Sequence, residues 1–107
     1  MPANGQSGVI AAAQNAVTIS CEDNPSVGIE INSPDAWTAT LVVEATVNGS
    51  TWYTPLTNTP LGAAGSTSFT ANGRCIAQAP GAAAVRVRCT SYTSGSPRVT
   101  MRATRAL

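Results

Sequence analysis

Histidine and lysine are both absent from the 107 residues, so all six basic side chains are arginine. Without histidine the chain lacks the commonest general base and metal ligand. Without lysine it has no Schiff-base or Ser–Lys chemistry. Cys21, Cys75 and Cys89 make an odd count, at spacings that fit no zinc site. A cysteine nucleophile here would have only a carboxylate as its base. The five acids fall on strands or turns with no catalytic setting, and the scattered glycines form no phosphate loop. A binding or building protein is therefore expected, not an enzyme, with no cofactor and no metal.

Aromatic residues are also scarce, at 5%, although hydrophobic residues reach 43%. Alanine and valine carry most of that share, and small side chains bury little area each. A thin core suggests that partners add burial, so self-association as a trimer or dimer is expected. No apolar run approaches the ~20 residues needed to span a bilayer, and no membrane role is expected. The opening MPANGQSG lacks the basic and apolar regions of a secretory leader, so cytosolic synthesis with reduced, buried thiols is expected. Residues 1–8 read as an extended arm that tethers a neighbouring subunit, and residues 9–107 as one domain.

What is present is an unusual order of charge. Glu22, Asp23, Glu30, Asp35 and Glu44 all precede residue 45. Arg74, Arg86, Arg88, Arg98, Arg102 and Arg105 all follow residue 73. Either acidic strands lie beside basic strands within one chain, or one copy meets another through opposite charge.

Period-two alternation dominates the sequence. Val17, Ile19 and Cys21 form one such set, and Val27, Ile29 and Ile31 another. Trp37, Ala39, Leu41, Val43, Ala45 and Val47 share one face, which makes Trp37 a core residue. Asn48-Gly49 then predicts a type I′ hairpin turn. The returning strand holds Trp52 and Tyr53, and Pro55 places it at a sheet edge. One of those two aromatics must face outward, so both are candidate partner-binding residues. Short strands follow around Phe69 and over Cys75–Gln78. Seven to eight short strands in all predict an antiparallel β-sandwich or jelly roll.

The last two alternating runs place Val85, Val87 and Cys89 inward, then Val99, Met101 and Ala103 inward. Read as one hairpin, they project Arg86, Arg88, Arg98 and Arg102 from a single side. Like charges across a ladder repel, so this face calls for anionic company. Glu30 and Glu44, carboxylates of a neighbouring protein, or phosphates could supply it. A net charge of +1 and the absence of interleaved aromatics turn the reading toward protein carboxylates and away from nucleic acid.

Two segments carry a family resemblance. AWTATLVVEATVNGSTWY (36–53) resembles a pattern in small β-sandwich virion proteins of tailed bacteriophages. GAAAVRVRCTSYTSGSPRVTMRAT (81–104) is similar to the closing hairpin of the same proteins. The resemblance implies a structural role in the virion, in capsid decoration, tail or fibre, with the major capsid protein or another virion protein as partner. It transfers no catalytic or ligand residue. Fibres are built with repeats or coiled coils, and this chain has neither, which favours a capsid cement or decoration protein. A tail, baseplate or fibre component is the alternative, and a carbohydrate-binding module using Trp52 and Tyr53 is another.

Overall fold

The computed structural model describes residues 5–21, 24–58 and 65–104. Among these residues there are ten strands and no helix. They are β1 (Gly5–Val9), β2 (Ala16–Ser20), β3 (Ser26–Asn32), β4 (Thr38–Thr46) and β5 (Trp52–Tyr53), then β6 (Leu56–Asn58), β7 (Ser68–Phe69), β8 (Gly73–Gln78), β9 (Ala84–Ser94) and β10 (Arg98–Thr104). Sheet I has the order β1-β10-β3-β8-β6, and sheet II the order β2-β9-β4-β5, with β7 also pairing β4. All pairings are antiparallel.

This is the expected β-sandwich, and its strand order is that of a jelly roll. Eight strands make the roll, and the short β6 and β7 bring the total above the seven to eight expected. The chain behaves as a ribbon folded back on itself. β1 pairs β10, β2 pairs β9 and β3 pairs β8, so each early strand lies beside a late one. The segregation of charge along the sequence thereby becomes juxtaposition of charge in space. Glu44 stands in register with Arg86, and Glu30 with Arg74.

The core follows the alternation. Val27, Ile29 and Ile31 of β3, Leu41, Val43 and Ala45 of β4, Val85, Val87 and Cys89 of β9, and Val99, Met101 and Ala103 of β10 are all buried. All three cysteines are buried within it as thiols. Trp37 is only half-buried against this core and donates its indole N–H to Asn72 Oδ1 at 2.9 Å.

Four expectations are corrected. First, β9 and β10 form no hairpin ladder, because the chain turns a corner after Ser94 and crosses between sheets. Arg86 and Arg88 therefore leave one outer face of the sandwich, and Arg98 and Arg102 the other. Second, the turn after β4 is not type I′, which needs positive φ at both central residues. Only Gly49 has it there, at 85°. Thr46 Oγ1 donates to Thr51 O at 2.7 Å, and Asn48 Oδ1 accepts the Ser50 and Thr51 N–H groups, which builds a wider loop. Third, Val47 falls in that loop and is 65% exposed instead of buried. Fourth, the expected arm is a strand over Gly5–Gly8, where β1 pairs β10 of its own chain. Residues 1–4 lie outside the described residues.

Pro55 ends the edge strand β5 as expected and is itself buried where the chain passes from sheet II to β6 of sheet I. β5 and β7 share the outer side of β4 in succession, at Ala45–Thr46 and Leu41–Val42. Two very short strands there blunt the edge against open-ended pairing.

Candidate functional site

The outer face of sheet II gathers three of the sequence candidates. Antiparallel partners directly opposite share a face, so Glu44 meets Arg86, and Arg88 stands one step along opposite Val42. Arg86 Nε donates to Glu44 Oε1 at 2.8 Å. Arg88 grips the same carboxylate with both ends of its fork, Nε to Oε1 at 3.0 Å and Nη2 to Oε2 at 3.1 Å. Such bidentate, charge-assisted bonds are the strong ones. These side chains are largely shielded, at 17% exposure for Glu44 against 22% and 25% for the arginines. The Arg88 bonds, with lesser help from Arg86, hold the Glu44 carboxyl below its ordinary value, against the opposing pull of burial. The Glu44 bond raises Arg88 in turn.

Two further groups close this cluster. The Arg86 guanidinium lies over the Trp52 ring, 3.9 Å from its centroid. Arg88 Nη1 donates to Gln14 Oε1 at 3.0 Å. Gln14 comes from the β1–β2 link, where it has a positive φ of 69° and bonds Cys89 O through its own N–H. Sequence reasoning missed Gln14, since nothing in its neighbours marks it as a partner for a residue 74 positions away. Tyr53 points to the other side of β5 and is 43% exposed. Arg86 and Arg88 thus both bond Glu44, Arg86 also covers Trp52 and Arg88 also bonds Gln14, so most of the polar groups on this face have partners within the chain.

The outer face of sheet I is different. Arg74 Nη2 approaches Glu30 Oε2 at 3.2 Å, with both side chains well exposed. Arg98 and Arg102 project from the same face, exposed, and no carboxylate among the described residues pairs with either. Arg102 stands in register between Gly5 of β1 and Gly28 of β3. A hollow of about 260 Å³ lies over Gly28, bounded by Arg102, Arg74 and Ile76. A second, of about 410 Å³, lies on the Gly5 side of Arg102. Val9 and Leu56, exposed by 46% and 74%, stand on the two edge strands of this face. The four arginines expected together are thus divided two and two, with one pair sharing the Glu44 carboxylate and the other pair open.

Among the described residues no group of three or more cysteine, aspartate or glutamate side chains could hold a metal ion. Burial pushes the Cys75 thiol up to about 11, which keeps it protonated at neutral pH.

No family model matches this chain, and no curated protein matches it. Its structure is similar to the crystal structure of SPBc2 prophage-derived protein YomS, with a TM-score of 0.71 over 97% of this chain and 96% of that one. The two sequences are 11% identical, so the likeness is one of fold.

Proposed function

We propose that this chain is a structural protein of a tailed-phage particle, a capsid cement or decoration protein that binds the head shell and stabilises it. The observation that carries this reading is the end-to-end likeness of its sandwich to a prophage-derived protein. The jelly roll is also a recurrent architecture of viral capsid domains. The resemblance of residues 36–53 and 81–104 to small phage virion proteins points the same way.

A cement protein needs a rigid body and outward faces that fit its neighbours, and no catalytic centre. Here the rigid body is the sandwich, and the hydrogen-bonded cluster around Glu44 stiffens one side of it. Self-association as a dimer or trimer would use the β5 side, where Tyr53 and Val47 are exposed. The carbohydrate alternative is weakened because Arg86 already occupies one face of the Trp52 ring.

Particles induced from a strain carrying the gene and purified on a gradient provide the test. The chain should be present in many copies per particle, and labelled antibody should mark the head shell. Label confined to the tail would assign the chain to a tail, baseplate or fibre role. Absence from purified particles would remove the virion reading altogether.

A further inference from the structure

We propose that the Gly5–Arg102–Gly28 row on the outer face of sheet I is a docking site for an acidic segment of a partner protein. The two glycines are the first argument. Glycine inside a strand weakens it, and usually marks a turn, a bulge or a place where another chain comes close. Neither Gly5 nor Gly28 has positive φ, and both keep unbroken register. A Cβ at either position would come no nearer than 3.9 Å to a backbone oxygen. The fold does not need glycine at these two positions. Their effect is to leave Arg102 standing between two hollows, open to approach from both sides.

Charge chooses the occupant. Among the described residues this face carries Arg74, Arg98 and Arg102 against Glu30 alone, and only Arg74 is paired. Arg98 and Arg102, four residues apart on one strand, lie ~13 Å from each other. A partner with clustered carboxylates completes both through the planar fork that suits arginine to carboxylate. The exposed apolar groups Val9 and Leu56 at the rims, and Ile76 beside the hollow, fit a protein surface better than a phosphate backbone. An acid in the middle of the face disfavours nucleic acid as well.

Naming the partner as a shell protein rests on the proposed function; the site itself does not. Heads and tails purified separately from particles of a strain deleted for this gene are the probes, with co-sedimentation as the readout. Arg98→Glu/Arg102→Glu should lower apparent affinity roughly a hundredfold, since like-charge contacts at an interface are strongly unfavourable. Gly28→Val has room for its Cβ and suits a strand, so it should fold normally by circular dichroism yet bind about tenfold more weakly by filling the hollow. Thr18→Glu, on the outer face of sheet II, should bind as the native protein does. Loss of binding to heads in the first two variants supports both readings. The same loss on tails, with no binding to heads, supports the docking site and rejects decoration. Native-like binding by either sheet I variant, or loss with Thr18→Glu, overturns the docking site. So does native binding to duplex DNA that Arg98→Glu/Arg102→Glu abolishes, and so does failure of the native protein to bind either probe.

Discussion

The guanidinium carbon of Arg86 stands 3.9 Å from the centroid of the Trp52 ring, on the side of sheet II that faces solvent. The same guanidinium bonds Glu44, so one side chain links the edge strand β5 to the central pair β4 and β9. A two-residue strand has little ladder of its own, and this stack is what fastens it. Arg86→Ala should therefore cost about 1–2 kcal/mol, the sum of a shielded ion pair and a cation–π contact. Trp52 emission should shift to the red as its ring gains water. The shift should vanish when Trp52→Phe is also present, and a shift that persists would trace it to Trp37.

Glu44 makes stability depend on pH in a defined direction. Its carboxyl is held below the ordinary value of 4.5 in the folded protein, chiefly by Arg88. A depressed folded value contributes stability that is complete above the unfolded value. That contribution falls as pH drops from the unfolded value through the folded one. Denaturant titrations should show the native protein losing more stability below about pH 5 than Glu44→Gln does. Parallel profiles for the two proteins would assign the acid sensitivity to other carboxylates.

The thiols report on unfolding. Cys21, Cys75 and Cys89 are thiols and almost fully buried, and burial raises Cys75 to about 11. At neutral pH it is the thiolate that attacks a thiol reagent, so the native protein should react very slowly. In denaturant without reductant all three should react. Two missing equivalents would reveal a disulfide and contradict the reduced state.

Much of this was readable from residue order, for reasons that specific residues make clear. Alternation at Val85, Val87 and Cys89 separates core from solvent, because a strand shows its two faces in turn. Alternation does not say which sheet a strand joins. Arg88 and Arg98 both read as outward, yet outward from sheet II and outward from sheet I are opposite directions. That ambiguity merged two arginine pairs into one face. The charge order was the better guide, since Glu44 and Arg86 can meet only if early and late strands pair. Gly28 illustrates the remaining gap. A glycine in a strand looks the same in sequence whether or not the backbone requires it, and only the space around its Cα decides.

Gly95 is the glycine that the backbone does require, and it sits where the chain crosses between the sheets. Its φ is 91°, a region that side chains enter only with strain. A Cβ there would fall 2.4 Å from Trp37 Cβ, 2.6 Å from Trp37 Cα and 2.9 Å from Ala36 O. Tyr92 Oη donates to Gly95 O at 2.7 Å, so the corner is also bonded to its own strand. Trp37 in turn reaches Asn72, whose Nδ2 donates to Ser33 O at 3.1 Å. The corner thus locks β9, the start of β4 and the turn before β8 into one unit. Gly95→Ala has to displace backbone rather than a flexible side-chain tip, and should cost about 3 kcal/mol or more. Gly49→Ala is the control, because φ there is 85° and a Cβ meets nothing within 4 Å. It should cost about 1–2 kcal/mol, from left-handed strain alone. Chemical denaturation of the two variants beside the native protein measures the difference. Equal losses would mean that the contact with Trp37 relaxes without cost, and that strain at φ sets the penalty at both corners.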